Sequence, residues 1–362
     1  MLGGFNMNLM IVVGARPNFI KLAPFIREIE KQGVFDYRIV HTGQHYDDCM
    51  SSNFFRELDI PAPDVNLEVC SSYPARQTCK IIDKLELLCY KERPDCMVVI
   101  GDVTSTMAGA IVASKIPGIR IAHIESGERS YDRAMPEEIN RIVTDHLSDY
   151  LFCTNQMADS NLHKEGISVD RRFVVGNLMV DNLKYWEDEI NISLPEKFNP
   201  FIVLTLHRAS NVDDPDTLQS ILKAIEIISY ENEIIFPIHP RTASRIKKFN
   251  LSNYLSKVNV QSPMGYKEFL NYVKHSDLVI TDSGGLQIEA AYLGTNCITL
   301  RYNTEHMCTI QQGCNVLAGT DTDEILETFY FMHDEDRNIK IYDPTWDGKT
   351  SERIINILRD RL

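Results

Sequence analysis

The stretch Asp277-Leu-Val-Ile-Thr-Asp-Ser-Gly-Gly-Leu-Gln-Ile-Glu289 reads as a short apolar strand, a tight turn at Ser283-Gly284-Gly285 and the opening turns of a helix. A helix start exposes backbone N–H groups without intrahelical partners and the positive end of the aligned peptide dipoles, so it favours an anion. Glycines let that anion approach the backbone, and phosphate is the first ligand to consider. Ser283 adds a hydroxyl donor. Glu289 stands about a turn and a half along the helix, where a carboxylate can accept both hydroxyls of a ribose. The segment reads as half of a nucleotide site, with a plain turn after a buried strand as the alternative.

The same unit of apolar strand, polar exit and helix recurs on both sides. Residues 201–206 end in His207-Arg-Ala-Ser-Asn211, 234–238 in His239-Pro-Arg-Thr242, and 297–300 in Arg301-Tyr-Asn-Thr-Glu305. Nearer the N-terminus, residues 9–13 lead into Gly14-Ala-Arg-Pro-Asn-Phe-Ile-Lys21, 37–40 into His41-Thr-Gly-Gln-His-Tyr-Asp47, 97–100 into Gly101-Asp102, and 119–124 into Glu125-Ser-Gly-Glu-Arg129. Strands at 150–153 and 172–175 close that half. Short apolar runs alternating with helix-period segments predict parallel βα units. The expected fold class is α/β, with two Rossmann-like domains and a cleft between them. A polar stretch from about Lys184 to Pro200, containing Pro195, interrupts the pattern and places the linker, giving domains at 1–185 and 186–347. Residues 348–362 form an amphipathic helix compatible with packing back on the first domain.

A chain of 362 residues exceeds what one core usually supports. Its apolar fraction of 44% and charged fraction of 24% are those of an ordinary globular protein. The net charge of −14 argues against a nucleic-acid or anionic-membrane surface, so any phosphate site is local. No apolar run approaches the ~20 residues that span a bilayer, and residues 7–13 lack the flanks of a signal peptide, which makes a cytoplasmic protein the expectation. The nine cysteines include no Cys-x-x-Cys pair and several lie in apolar stretches, so they are read as reduced and structural, with no metal site.

Candidate chemistry gathers at the strand exits. Arg16 and Lys21 are placed in the loop after the first strand, where open α/β sheets bind ligands and two cations suit a diphosphate. Asp102 reads equally well as the N-cap of a helix over 106–114. The segment Pro136-Glu137-Glu138 opens a helix whose first-turn acids favour its dipole, an explanation for both that involves no catalysis. His41, His123 and His275 are read as satisfied core groups.

Taken together and in order, these exits resemble the non-hydrolysing UDP-N-acetylglucosamine 2-epimerase family. The matching pieces are Gly14-Ala-Arg-Pro-Asn-Phe-Ile-Lys21, His41-Thr-Gly-Gln-His45, Gly101-Asp102, His123-Ile-Glu-Ser-Gly127, Pro136-Glu-Glu-Ile-Asn-Arg141, Leu206-His-Arg208, His239-Pro-Arg241 and Thr281-Asp-Ser-Gly-Gly-Leu-Gln287. The resemblance implies the glycosyltransferase-B architecture, with UDP held mainly by the C-terminal domain and the sugar facing the N-terminal one. It implies inversion of carbon 2, converting UDP-GlcNAc to UDP-ManNAc by elimination of UDP to 2-acetamidoglucal and re-addition, for surface polysaccharide precursors. The catalytic positions it implies are Asp102, Glu125, Glu137 and His207. The substrate-binding ones are Arg16, Lys21, Gln44, Arg141, His239, Ser283, Gly284, Gly285 and Glu289. It implies no metal or other cofactor, a UDP-sugar as ligand and a homodimer.

Four places depart from the family pattern. Glu128 stands in Glu125-Ser-Gly-Glu-Arg129 where the family has leucine, and would repel a diphosphate unless it points to solvent. Gln287-Ile288-Glu289 keeps the second acid of Gln-Glu-Glu. Thr304-Glu-His-Met-Cys308 replaces Thr-Glu-Arg-Pro-Glu, and His207-Arg-Ala-Ser210 replaces His-Arg-Arg-Glu. Relatives acting on a UDP-2,3-diacetamido-glucuronate share the motifs as well, and such a substrate would need a further cation, Arg129 or Arg133. A hydrolysing 2-epimerase, a glycosyltransferase on the same fold, and an inactive UDP-sugar-binding protein are the remaining alternatives. Some bacterial members also carry an activating second UDP-GlcNAc site, near whose motifs lie Gln44, Arg76, Gln77, Glu138 and His239.

Overall fold

Apolar runs without polar alternation suit a sheet covered on both faces, as parallel sheets are. Strand β1 (Met7–Val13) is such a run, with residues 9–13 at most 1% exposed. The computed structural model describes residues 7–43, 55–69, 71, 73–190, 200–333 and 339–362. Its chain divides into two compact units, one of residues Met1–Tyr185 with Asp343–Leu362 and one of Trp186–Tyr342.

In the first unit β1 is followed by β2 (Phe35–His41), β3 (Val65–Asn66), β4 (Cys96–Ile100), β5 (Arg120–Ser126), β6 (Tyr150–Cys153) and β7 (Arg172–Val174), in the order β3-β2-β1-β4-β5-β6-β7. All pairings are parallel. Met10, Val12 and Val99 pack on one face against Ile81 and Leu85 of the helix Pro74–Glu92 and Ala108 and Val112 of the helix Thr104–Lys115.

The second unit repeats the plan with β8 (Phe201–Thr205), β9 (Glu233–Pro237), β10 (Asn259–Gln261), β11 (Leu278–Thr281), β12 (Asn296–Thr299) and β13 (Asn315–Leu317), in the order β10-β9-β8-β11-β12-β13. These pairings are parallel too. One face takes Leu218, Leu222 and Phe329, and the other Val273, Leu286 and Ala290, so the inner strands β8, β9, β11 and β12 are covered from both sides, while the edge strand β10 stays largely exposed. Strand order reverses between β1 and β4 and again between β8 and β11. Those reversals leave crevices at the carboxyl ends of the strands, where such sheets bind ligands.

The first crossover differs from the sequence expectation. Arg16 and Lys21 belong to a helix, Arg16–Gln32, and not to a loop. Pro17 pre-sets the first turn, and the buried Asn18 carboxamide accepts from Gly14 N and Ala15 N at 3.1 Å each while donating to the Ile100 carbonyl at 2.9 Å. One side chain thus ties the exit of β1 to the end of β4. Gly14 is dictated by space, since a β-carbon there would lie 2.0 Å from Ser105 Oγ and 2.8 Å from Thr42 Oγ1.

The C-terminal helix Thr350–Arg361 buries Ile354, Ile355 and Leu358 within the first unit. Its start is held by the buried Asp181, which accepts from Thr350 N at 3.0 Å and from Ser351 N and Oγ at 2.7 Å. Asp181→Ala leaves those buried donors unpaired, at a cost of about 1–3 kcal/mol. Chemical denaturation should show that loss, and hydrogen exchange should speed up across residues 350–361 before the rest of the unit opens.

Candidate active site

The exits of β4 and β5 carry two ion pairs. Asp102 does not cap the helix after it, whose N-cap is Val103 without a side-chain bond. Its carboxylate pairs instead with the buried Arg141 guanidinium, and its carbonyl accepts from Asn140 Nδ2 at 2.8 Å. Lys21 reaches from the first helix to Glu125 at 2.5 Å, both side chains about nine-tenths buried. The two pairs are neighbours, because a β-carbon on Gly101 would lie 3.4 Å from Lys21 Nζ. Of the first unit's expected site residues, the structure therefore brings together Lys21, Asp102, Glu125 and Arg141. Glu137 is half-buried in the first turn of the helix Pro136–Leu147 and takes no part in that network. Gln44 and the Arg16 side chain lie outside the described residues.

Glu138 orients Arg141. Both of its oxygens are taken, Oε1 by Tyr131 N at 2.9 Å and Oε2 by Ser130 N and Oγ at 3.0 Å and by Arg141 Nη2 at 2.7 Å. Burial opposes its charge, yet the Ser130 N–H and the Arg141 guanidinium hold its carboxyl below the usual range.

Two sequence expectations about this region fail. Glu128 does not point to solvent: it is 5% exposed and accepts from the Thr154 hydroxyl, turned into the protein. Arg129 is no spare cation for a sugar carboxylate. It lies 1% exposed between Asp145, at 2.7 Å, and Glu165, which it holds through two 2.7 Å bonds. Asp145 also bonds His123.

In the second unit Asp282 performs the task that Asn18 performs in the first. It sits at the exit of β11 and reaches to β8, accepting from His207 N at 3.0 Å and Arg208 N at 2.8 Å and facing His207 Nδ1 at 3.1 Å. Burial alone would raise its carboxyl. The His207 ring and the two backbone N–H groups hold it below the usual range instead. His207 is thereby fixed by one nitrogen while its side chain stays 43% exposed, and its ring lies 6.1 Å from that of His239. His239 caps the helix Pro240–Lys248 by accepting from Arg241 N at 3.2 Å.

The helix Gly284–Leu293 starts as expected, with Ser283 at its cap position making no side-chain bond to the helix. The missing side chain of Gly284 serves a neighbouring residue. A β-carbon there would lie 2.5 Å from Glu305 Oε1, so the missing side chain makes room for a carboxylate beside the helix start. Glu305 pairs with Arg301 at 2.8 Å, and His306 and Arg301 hold it well below the usual range against the effect of burial. Glu289 is 5% exposed and accepts from Tyr266 Oη at 2.8 Å, which fixes the carboxylate expected to meet a ribose.

Sequence reasoning missed Asn18, Asp145, Tyr266 and Asp282 as holders of this site. The buried Asp282 lies inside the quoted Gly-Gly segment, and its place between strand and glycine turn was the one signal available. No metal-binding group of His, Cys, Asp and Glu occurs among the described residues.

A family model described as UDP-N-acetylglucosamine 2-epimerase matches residues 27–359. A UDP-N-acetylglucosamine 2-epimerase of Methanocaldococcus jannaschii is 45% identical over 367 residues, covering 97% of this chain and 99% of that protein. The UDP-2,3-diacetamido-2,3-dideoxy-D-glucuronate 2-epimerase of Pseudomonas aeruginosa is 40% identical over 327 residues, covering 89% and 91%. The crystal structure of the Methanocaldococcus jannaschii UDP-GlcNAc 2-epimerase in complex with UDP-GlcNAc and UDP superposes with a TM-score of 0.88 at 42% identity, covering 97% of this chain and 99% of that one.

The depressed carboxyls set an acid limit on stability. A group whose folded value lies below its unfolded one stabilises the fold above the unfolded value, about 4, and that contribution is lost as pH falls through the folded value. Glu138 and Asp282 both have this sign. Unfolding free energy measured from pH 6 downward should therefore fall below about pH 4, and Asp282→Asn should flatten the slope.

Proposed function

The chain belongs to the UDP-N-acetylglucosamine 2-epimerase family, and from that membership we propose that it interconverts UDP-GlcNAc and UDP-ManNAc. It is an isomerase-class enzyme. The observation that carries the substrate reading is the combination of two crevices of matching chemistry: carboxylates paired with cations at the exits of β4 and β5, and a glycine helix start beside a carboxylate-held histidine at the exits of β8 and β11.

The chemistry divides between them. The second unit binds UDP, with phosphates at the Ser283-Gly284-Gly285 helix start, His207 and His239 beside them, and ribose hydroxyls on Glu289. The first unit works on the sugar. A carboxylate among Asp102, Glu125 and Glu137 takes the carbon 2 proton, the C–H electron pair becomes the C1–C2 double bond, and the C1–O bond breaks with its electrons leaving on UDP. Re-addition reverses the flow, with the proton delivered to the opposite face of carbon 2 and UDP oxygen returning to carbon 1. Carboxylates on both faces supply the acid and base that this requires. Lys21, Arg16 and Arg141 counter the charge that develops on the departing diphosphate.

The relative that acts on UDP-2,3-diacetamido-glucuronate supplies a second reading of the substrate. A sugar carboxylate calls for an added cation, and of the two candidates Arg129 is committed to Asp145 and Glu165, which leaves the exposed Arg133 for that reading. No described helix is long and apolar enough to cross a membrane. The proposal includes a cytoplasmic homodimer that makes polysaccharide precursors, on the strength of the family resemblance.

Asp102→Asn, Glu125→Gln and Glu137→Gln should each lower kcat by about a hundred-fold or more while leaving UDP affinity within a few-fold. Steady-state kinetics and calorimetric titration with UDP check this, with Glu289→Ala as the counterpart that weakens UDP binding. Wild-type turnover in all three amide variants would remove the sugar site from the first unit.

A further inference from the structure

His123 lies in β5 with its side chain fully buried, two residues before Glu125. Its Nδ1 is 2.6 Å from Asp145 Oδ1, and its Nε2 is 2.8 Å from the carbonyl oxygen of Gly101, the residue before Asp102. Both partners are acceptors. A carboxylate and a carbonyl are satisfied together only by a ring that donates from each nitrogen. The surrounding charges suit that form: Asp145 and Glu165 are matched by Arg129 and the protonated ring.

The backbone around His123 shows what the ring restrains. Gly101 has φ +67° and Glu125 has φ +69°, a left-handed conformation that non-glycine residues seldom adopt. Register between β5 and β6 shifts between Ile124 and Ser126, so Glu125 occupies a bulge, which re-aims its side chain. On the far side of that bulge Gly127 N donates to Asp145 Oδ2 at 3.2 Å. Gly101 N in turn donates to the Ile124 carbonyl at 2.9 Å. The pair His123–Asp145 therefore grips both carboxylate-bearing turns, one through the Gly101 carbonyl and one through the Gly127 N–H.

We infer that His123, protonated on both ring nitrogens and seated on Asp145, is a positioning residue that sets Asp102 and Glu125 relative to one another for the carbon 2 proton transfers. The inference rests on the epimerase reading of those two carboxylates. His123 does not reach the sugar; it acts through the peptide of Gly101 and the bulge at Glu125. Displacing a reacting group by about 1 Å can cost roughly a hundred-fold in rate, which is the scale at stake.

Two substitutions separate the two grips. An asparagine amide mimics the Nδ1 side and keeps a bond to Asp145, while a glutamine amide mimics the Nε2 side and keeps the bond to Gly101. His123→Asn should lower kcat about a hundred-fold with KM and UDP affinity within a few-fold, and should displace the backbone amide resonances of Asp102 and Gly127. His123→Gln should recover kcat to within about ten-fold of wild type. Unchanged kcat in the folded Asn variant, or loss in both variants only in proportion to the unfolded fraction, would overturn the inference. Should neither variant fold, ring-nitrogen NMR of the wild-type protein decides: protons on both His123 nitrogens support it, and a proton on one alone contradicts it. A wild-type protein that fails to turn over UDP-GlcNAc would refute the proposed function, while the ring and amide signals would still decide this inference.

Discussion

A parallel strand that ends at a switch point leaves its last backbone groups facing a crevice, with no neighbouring strand positioned to pair them all. This protein meets that constraint twice with one buried side chain. Asn18 spans from β1 to β4, and Asp282 from β11 to β8. Each bridge fixes two strand exits at once, and each exit so fixed carries a candidate active group: Asp102 just after β4, His207 just after β8. The difference between the bridges is chemical. Asn18 is neutral and only shapes the loop, whereas Asp282 brings a charge that also holds the His207 ring.

Around those bridges the first unit is built from charged pairs set in a largely buried environment. Lys21 with Glu125, Arg141 with Asp102 and Glu138, and Arg129 with Asp145 and Glu165 leave few charges unmatched, as the cost of burying a lone charge requires. These pairs are not equivalent. The Arg129–Asp145 pair is sealed inside, while Asp102 remains about a quarter exposed.

How much of this could be read beforehand follows from the range of each interaction. The strands were legible because residues such as 9–13, 97–100 and 278–280 are continuous apolar runs, and their polar exits follow directly in sequence. The glycine helix start was legible for the same reason. What was not legible depends on partners far away in the chain: Asn18 bonds a carbonyl 82 residues on, Asp282 a backbone group 75 residues back, and Tyr266 a carboxylate 23 residues on. The burial of Arg129 and Glu128 is hidden from local sequence on the same ground, since their partners are Glu165, Asp145 and Thr154. Arg16 and Lys21 read locally as loop residues because the Asn18 bridge, which lets the helix begin at Arg16, leaves no mark on local periodicity.

The central claim is that this protein moves a proton at carbon 2 of UDP-GlcNAc without consuming the nucleotide bond. Proton NMR of the purified protein with UDP-GlcNAc in heavy water tests it most directly, by following the carbon 2 position and the anomeric signals. The account predicts solvent deuterium at carbon 2 together with the appearance of UDP-ManNAc. Free ManNAc and UDP, or a spectrum that does not change, would contradict it.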